Sequence, residues 1–172
     1  MISVRDRRLQ ADYEKVRRLA QESGGALVLE STKGKPPDQY IIKYLCRGLA
    51  SLGPRNSATY SDTHSIQIDL PSIYPGQAPA VKFLKKIFHP HVYESGLMCI
   101  GRWTINEQLD QLILRIGAII QYDPQYINFQ SPANRNAAEW AMQNMNMFPL
   151  GNITFKKEIE PSKWSVEWTN LK

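Results

Sequence analysis

The sequence predicts a single α+β domain, in which an N-terminal helix is followed by a four-stranded antiparallel sheet and then by further helices. An amphipathic pattern at the start gives way to four strand-like segments with short connections, and apolar residues return to helical spacing only near residue 106. Because no helix separates the strand candidates, a meander is favoured over a doubly wound parallel sheet. The 172 residues, 42% of them apolar, are enough for one domain with a buried core.

The first predicted element is a helix over residues 4–23. Apolar residues recur at spacings of three and four, and no glycine or proline interrupts the run before Gly24. The buried stripe is predicted to consist of Leu9, Tyr13, Val16 and Ala20. The opposite face carries Asp12 among many other charged residues. Taken alone, such a face indicates a solvated surface with favourable ion pairs one turn apart.

Four strands are predicted in the middle of the chain. They lie at residues 26–30, 39–47, 61–70 and 81–84. The second is rich in Ile, Tyr and Leu, and the third alternates between apolar and polar residues, as strands with one buried face do. Residues 31–38 are predicted to form a turn, and residues 48–60 a loop or hairpin tip.

A long apolar helix is predicted directly after the sheet. Apolar residues repeat at helical spacing over residues 106–121, so this helix should lie against the sheet. Asp123-Pro124 ends it, because proline cannot continue a helix, and a polar loop follows as far as Pro132.

A second helix and a tail complete the prediction. The helix covers residues 134–147, and its core-facing side is predicted to consist of Ala138, Met142 and Met145. We expect the domain to occupy residues 1–148 and residues 149–172 to form a C-terminal extension, packed on the domain or trailing from it. Trp164 and Trp168 of this extension would cover an apolar patch or join a short strand pair.

Charge and composition exclude several classes of function. The net charge of +5 and the pI near 9.2 favour an acidic partner surface. The basic residues are spread out, and aromatic-basic RNA motifs and zinc-finger spacing are missing, which disfavours nucleic-acid binding as the main role. The apolar runs are too short or too interrupted to cross a bilayer, and the N-terminus lacks the apolar core of a signal peptide. We therefore expect a cytoplasmic protein with no membrane partner.

The two cysteines differ in their surroundings, and their wide separation argues against a disulfide. Cys46 lies within an apolar run, where a cysteine is typically a small buried hydrophobe. Cys99 lies on a glycine-bounded turn, and His89 and His91 precede it. An accessible thiol with imidazoles nearby suits nucleophilic catalysis. A buried thiol beside a core histidine is the alternative that these residues alone leave open.

Other chemistries fit the same stretch less well. His89, His91 and Cys99 are acceptable zinc ligand types, but the sequence offers no clear fourth ligand and lacks the ligand pairs typical of structural zinc sites. Neither a metal nor another cofactor is therefore expected. A papain-like protease is disfavoured by residue order, because its histidine follows the cysteine, whereas every histidine here precedes Cys99.

The stretch over residues 71–103 resembles the ubiquitin-conjugating enzymes. That family has an N-terminal helix, a four-stranded meander, a Tyr-Pro-x-x-x-Pro turn, a His-Pro-Asn tripeptide and a catalytic cysteine, at the same eight-residue interval that separates His91 from Cys99. The matching residues of this chain are Tyr74, Pro75, Pro79, His89, Pro90, His91, Cys99, Trp103, Asp123 and Pro124. The resemblance covers roughly residues 4–140 and implies a ubiquitin-conjugating-enzyme-like fold.

The resemblance implies a transferase with a cysteine thioester intermediate. Such an enzyme accepts ubiquitin or a ubiquitin-like protein from an activating enzyme and transfers it to an amine or hydroxyl of an acceptor protein, and Cys99 would carry the thioester. The basic first helix resembles the family's docking surface for the activating enzyme. Its implied docking residues are Arg5, Arg8, Lys15 and Arg18. The alternative is a non-catalytic adaptor that binds ubiquitin-like proteins, although such relatives typically lack the cysteine.

Several positions depart from the family pattern. His91 replaces the asparagine of the tripeptide, and a neutral imidazole, with one donor and one acceptor, would stabilise the oxyanion or help to deprotonate the amine. Asn128 replaces an acidic residue, which leaves His91 or Asp123 as the base or implies an acceptor other than lysine. Gly76 replaces an aromatic residue and the loop at residues 103–105 is shortened, at sites that normally bind ubiquitin ligases. A ligase partner is therefore in doubt, and the departures suggest a divergent, prokaryotic type of pathway.

Overall fold

The computed structural model describes residues 3–151, 153 and 155 and contains a four-stranded antiparallel sheet with helices packed on it. Trp164, Trp168 and the strand pair considered for the tail lie outside the described residues. The elements, in chain order, are α1 Val4–Glu22, β1 Leu27–Gly34, β2 Pro37–Tyr44, β3 Gly48–Leu52, β4 Ala58–Ser61, β5 His64–Asp69, β6 Ala80–Phe83, α2 Leu109–Ile120 and α3 Arg135–Gln143.

The predicted antiparallel meander is confirmed. Strands β1, β2, β5 and β6 pair in that order, and each neighbouring pair is antiparallel. Alternate residues of the two central strands point into the core, because side chains of a strand point to opposite faces in turn. The fully buried apolar residues of these strands are Tyr40, Ile42, Tyr44, Ile66 and Ile68.

Two segments that the sequence predicts as turn or loop are paired strands. The sequence places the end of β1 at residue 30, but the strand continues to Gly34 because residues 31–33 pair with β2. Residues 48–61 contain a separate two-stranded sheet of β3 and β4, in which Gly48 pairs with Ser61. These segments are largely exposed or half-buried, so they lack the apolar alternation that marks a strand in a sequence.

The two long helices pack on the sheet and on each other. The side-chain oxygen of Ser3 caps α1 by accepting from the Asp6 amide at 3.0 Å, and α1 packs against β1, β2 and α2. Most of the α2 surface is buried, and the hydroxyl of Tyr44 donates to the Ile113 carbonyl at 2.9 Å. Within the described part of the chain, no helix has the length and apolar character needed to cross a membrane.

The chain returns to the core after α3. Phe155 is buried, and its ring meets the ring of Tyr44 edge-on with a centroid distance of 5.4 Å. Gly117 on α2 makes this contact possible, because a Cβ at that position would overlap the Phe155 ring. Packing of the main core thus extends to a residue beyond the predicted boundary at residue 148.

The predicted core face of the last helix is wrong in part. Ala138 is buried, but Met142 and Met145 are 50% and 56% exposed. The helix ends at Gln143, before the predicted end, so Met145 lies in a following 3-10 turn. The buried side of α3 is instead formed by Ala137, Ala138, Trp140 and Ala141.

Candidate active site

Cys99 lies at the end of residues 92–99, a tight flap that folds back onto β6. The Met98 amide donates to the Val81 carbonyl at 2.9 Å, and the Cys99 amide donates to the His91 carbonyl at 2.8 Å. The side chains of Met98 and Ile100 are buried, whereas Cys99 is partly exposed. The backbone on both sides of the cysteine is therefore fixed, while the residue that carries the thiol reaches the surface.

The flap depends on a glycine at its tip. Gly96 has a φ of 85°, in the left-handed region that side chains other than glycine rarely adopt. A Cβ there would lie 2.9 Å from the carbonyl oxygen of Phe83, whose amide donates to the Gly96 carbonyl. Glycine thus allows the close approach to β6 that brings the chain back toward Cys99.

His89 lies beneath the site and is completely buried. Its Nδ1 accepts a hydrogen bond from the His91 amide at 3.0 Å, and its ring meets Tyr122 edge-on with a centroid distance of 4.4 Å. Burial, followed by repulsion from His91, holds the pKa of His89 well below its ordinary value. A neutral imidazole at this position therefore fixes the backbone of His91 from below.

The side chain of His91 bridges two loops. Its Nδ1 lies 3.2 Å from the carbonyl oxygen of Cys99, and its Nε2 lies 3.0 Å from the amide nitrogen of Asn128. Because a backbone amide only donates, Nε2 must accept, and the proton of the neutral ring must lie on Nδ1, where it donates to the Cys99 carbonyl. In this arrangement the ring has neither a free N–H for an oxyanion nor a free lone pair for an incoming amine.

The segment that contacts His91, residues 122–133, is called the gate loop here. It is anchored at one end by Tyr122, which is fully buried and whose hydroxyl donates to the Phe88 carbonyl. At the other end, the amides of Ala133 and Asn134 donate to the Pro90 carbonyl at 2.8 Å and 3.1 Å. The sequence did not single out Tyr122, although its position between an apolar helix and Asp-Pro was a usable signal.

The structure places the two other predicted catalytic residues on the gate loop. Asn128 is exposed, and its Oδ1 accepts from the Gln130 amide at 2.9 Å, which leaves its amide NH₂ group as a donor. Asp123 caps the 3-10 turn that follows α2 by accepting from the Gln125 amide at 3.0 Å. Asn128 is joined to the Cys99 carbonyl through His91, whereas Asp123 makes no direct hydrogen bond to either residue within the described structure.

The segment after the cysteine, residues 101–108, is called the downstream loop here. Arg8 of α1 donates to the carbonyls of Ile105 and Glu107, and Arg115 of α2 forms an ion pair with Glu107 at 2.7 Å. The indole N–H of Trp103 donates to the Pro75 carbonyl at 2.9 Å. The loop is therefore tied to α1, to α2 and to the turn that contains Tyr74 and Pro75.

The buried carboxylate of Asp12 accepts hydrogen bonds from three groups next to the downstream loop. Asp12 is only 1% exposed, although the sequence analysis places it on the solvated face of the helix. It accepts from Arg8 at 2.7 Å, from the Tyr74 hydroxyl at 2.6 Å and from the Leu109 amide at 3.4 Å. That placement was wrong because Asp12 lies three residues after Leu9 and four before Val16, which puts it on the buried stripe.

Comparison with known protein families gives a match over residues 43–151 to the family described as "Ubiquitin-conjugating enzyme". This chain belongs to the ubiquitin-conjugating enzyme family. It is 32% identical over 100 residues to Ubiquitin-conjugating enzyme E2 2 of Mycosarcoma maydis, a match that covers 56% of this chain and 52% of the relative. It is 29% identical over 142 residues to Ubiquitin-conjugating enzyme E2 1 of Caenorhabditis elegans, covering 80% of this chain and 66% of the relative.

A third relative of the ubiquitin-conjugating enzyme family is Ubiquitin-conjugating enzyme E2 N of Macaca fascicularis. It is 33% identical over 88 residues, which cover 49% of this chain and 57% of the relative. The chain thus spans about half to two thirds of the length of these three curated relatives. The family and the fold that the sequence predicts are confirmed by the family match and by the observed element order.

The four basic residues that the family resemblance assigns to docking divide into two pairs. Arg5 donates to the carbonyls of Leu70 and Pro71, and Arg8 is held by Asp12 and the downstream loop. Lys15 is half-buried and Arg18 is exposed, and neither makes a hydrogen bond or ion pair to another described residue.

The other cysteine of the chain, Cys46, is buried. Cys46 is 1% exposed, as the sequence predicts. Burial, with a smaller contribution from Asp62, raises the pKa of its thiol to about 12. Cys46 is therefore a neutral core residue, and Cys99 is the partly exposed cysteine.

Proposed function

We propose that this chain carries ubiquitin or a ubiquitin-like protein as a thioester on Cys99 and transfers it to an amine or hydroxyl of an acceptor protein. The proposal rests on a difference in exposure between the two cysteines of this chain. Cys99 is partly exposed on a fixed backbone, whereas Cys46 is buried. The activating enzyme, the ubiquitin-like protein and the acceptor protein are the proposed partners.

Two acyl transfers make up the proposed reaction. In the first, the Cys99 thiolate attacks the thioester carbonyl held by the activating enzyme, a new sulfur–carbon bond forms, the old sulfur–carbon bond breaks, and the sulfur of the activating enzyme leaves as a thiolate. In the second, the acceptor nitrogen or oxygen attacks the same carbonyl, the bond to the Cys99 sulfur breaks, and the acceptor loses a proton. Each step passes through a tetrahedral intermediate whose oxyanion needs a donor.

The gate loop supplies the groups that we propose for the second transfer. The free NH₂ group of Asn128 is proposed as the oxyanion donor, since its Oδ1 is already engaged. Asp123, the acidic residue of the gate loop, is proposed to receive the proton from the acceptor. His91 is proposed to act by positioning, because both of its ring nitrogens are occupied by the Cys99 carbonyl and the Asn128 amide.

Helix α1 is the proposed docking site for the activating enzyme. Lys15 and Arg18 would contact the partner directly, while Arg5 and Arg8 would hold the helix in place through their internal hydrogen bonds. We further propose that transfer proceeds without a ubiquitin ligase and that the protein acts in the cytoplasm.

The domain division is proposed with the same boundary as in the sequence analysis. Residues 1–148 would form the catalytic domain and residues 149–172 an extension whose first part packs on it, as Phe155 does. The family match over residues 43–151 ends close to this boundary.

A charging assay tests the proposed function. The protein is incubated with ubiquitin, ubiquitin-activating enzyme and ATP, and the products are separated with and without a thiol reductant. We expect a reductant-sensitive adduct that is lost in Cys99→Ala and retained in the matched control Cys46→Ala, because only the first thiol is accessible. Cys99→Ser should form an ester that resists reductant and is cleaved by alkali. Persistence of the adduct in Cys99→Ala would contradict the proposal, and absence of any adduct in the unaltered protein would exclude ubiquitin as the protein that it carries.

A further inference from the structure

His91 is the one side chain of the described structure that hydrogen-bonds both the Cys99 peptide and the gate loop. The ring spans the gap between them through two hydrogen bonds, from Nδ1–H to the Cys99 carbonyl and from the Asn128 amide to Nε2. The backbone of His91 is held separately, since its amide donates to His89 and its carbonyl accepts from the Cys99 amide. Two backbone hydrogen bonds and the Nδ1 contact therefore hold His91 on the Cys99 side. Only the Nε2 contact joins it to the gate loop.

The Nε2 contact requires a neutral ring. Nε2 accepts from the Asn128 amide through its lone pair, and a proton on Nε2 would replace that lone pair with a second N–H pointing at an N–H. The hydrogen bond would then be lost and the two like dipoles would repel each other. The Nδ1 contact to Cys99 would survive, because Nδ1 is a donor in both protonation states.

In the described structure, the Cys99 carbonyl is the group that favours a positive charge on the ring, and no carboxylate bonds the ring. Repulsion from Arg115 on α2 disfavours the charged form of His91, and His89, whose ring centroid lies 5.5 Å away on the same turn, is neutral and supplies no negative charge. Arg115 is itself paired with Glu107, and Oδ1 of Asp123, the acidic residue of the gate loop, accepts from the Gln125 amide and not from the His91 ring. The other titratable groups of that loop are the phenols of Tyr122 and Tyr126, and no described carboxylate bonds the ring.

We propose that His91 is a proton-operated latch, which in its neutral form ties the gate loop to the Cys99 peptide and in its protonated form releases Asn128. An asparagine side chain at this position has a donor and an acceptor but does not titrate, so the replacement by histidine adds a response to pH. Release would separate the proposed oxyanion donor from the cysteine while leaving the Cys99 backbone in place.

The direction of the response follows from linkage. Burial comes first among the effects that lower the pKa of His91 in the latched state, and the hydrogen bond to Cys99 opposes it. The unlatched ring should titrate near its ordinary value of about 6.5. The latch is therefore fully closed above about pH 6.5, and it opens as the pH falls from there toward the lowered pKa of the latched ring.

Hydrogen exchange of single amides tests the latch without any conjugation partner. Protection of the Asn128 amide, corrected for the intrinsic exchange rate, is measured by NMR between about pH 5 and pH 8. We expect it to fall on acidification by about tenfold for each unit by which the pKa of His91 is lowered. The matched control is the Cys99 amide, which donates to the His91 carbonyl and should keep its protection. Constant protection of Asn128 would overturn the proposal.

Two further measurements assign the effect to the ring. Nitrogen NMR of the His91 imidazole should show a proton on Nδ1 and none on Nε2 at neutral pH, and the opposite tautomer would overturn the latch. His91→Asn should remove the pH dependence of Asn128 protection, because the amide side chain does not titrate in this range. The same pH dependence in His91→Asn would show that another group controls the loop.

The consequence for transfer rests on the proposed function and has its own readout. Discharge of the Cys99 thioester to a free amine is timed in single turnovers, and the rate of the unaltered protein is divided by that of His91→Asn. Protonation of the amine affects both proteins equally, so the ratio isolates the latch. We expect the ratio to fall below about pH 6.5 and to stay constant above it. A constant ratio beside a pH-dependent Asn128 amide would show a latch that does not serve transfer, and failure to form the thioester would contradict only the proposed function.

Discussion

The two sides of Cys99 are held by opposite kinds of chemistry. On the downstream side, a buried carboxylate and an arginine fix the loop through charge-assisted hydrogen bonds among Asp12, Arg8 and Tyr74. On the gate side, a neutral imidazole joins Cys99 to Asn128 through two hydrogen bonds, in surroundings that disfavour its charged form. The downstream side is stabilised by an ion pair between Arg8 and Asp12, whereas the gate side requires an uncharged His91 ring.

The two sides of Cys99 should respond differently to a change in pH. An arginine remains charged at every physiological pH, so its pairing with the buried Asp12 is not switched by small changes in proton concentration. Burial lowers the pKa of His91, so the proposed latch makes the gate side the one that responds to acidification. Under this proposal, the downstream side is the fixed support of Cys99 and the gate side is the part that opens.

The largest expected effect is on stability, from Asp12→Ala on the fixed side. Removing one partner of a buried pair leaves Arg8 and the Tyr74 hydroxyl without their acceptor, and we expect a loss of about 3 kcal/mol in the free energy of unfolding. Urea unfolding followed by circular dichroism measures the change. Glu14→Ala, on the exposed side of the same helix, is the control and should change stability by less than about 0.5 kcal/mol. Similar values for the two variants would remove the distinction between the sides.

The next largest effect is kinetic, from His91→Ala on the gate side. Charging of Cys99 should remain nearly intact, because the backbone of the flap is held by its own hydrogen bonds, whereas discharge to an amine should slow by up to about a hundredfold as Asn128 loses its position. Single-turnover assays of the two steps separate them. Equal loss in both steps would show that His91 serves the fold of the whole site and not the gate loop alone.

A smaller effect is expected from Trp103→Phe in the downstream loop. Phenylalanine keeps an aromatic ring against Tyr74, whose centroid lies 5.8 Å away, but loses the N–H that donates to Pro75. The loss of one neutral hydrogen bond should lower the free energy of unfolding by about 1 kcal/mol. Thermal unfolding measures it, and the pH dependence of the Asn128 amide should not change. A changed pH dependence would mean that the two sides are coupled.

The sequence predicted those parts of the molecule that a local pattern specifies. Helical spacing located α1 and α2, and strand alternation located the central strands, because each pattern repeats along one buried element. The spacing from Tyr74 through His89 to Cys99 defined the candidate site for a similar reason, since the turn, the motif and the flap follow one another along the chain. The short sheet of β3 and β4 was missed because its residues carry no such alternation.

The hydrogen-bond partners of His91 and Asp12 include residues distant in sequence, and these contacts were not predicted. The amide that bonds His91 belongs to a residue 37 positions later, and its place depends on how the gate loop is anchored at both ends. Burial of Asp12 could have been suspected from its position on the apolar stripe. A buried carboxylate needs hydrogen-bond donors, and one donor to Asp12 is the hydroxyl of Tyr74, which lies 62 positions away and meets the helix only in the folded chain.

The smallest expected effect tests whether the fixed side also serves docking on its outer surface. Arg18→Glu reverses an exposed charge that makes no internal contact to another described residue, so the unfolding midpoint should stay unchanged. If α1 docks the activating enzyme, charging should slow by roughly twofold to fivefold at low ionic strength, and added salt should reduce the difference because it screens exposed charges. Glu22→Lys, which changes a charge of opposite sign in the last turn of α1, is the matched control and should not slow charging. An unchanged charging rate in Arg18→Glu would confine α1 to its internal role, with Arg8 and Asp12 as the residues through which it supports the cysteine.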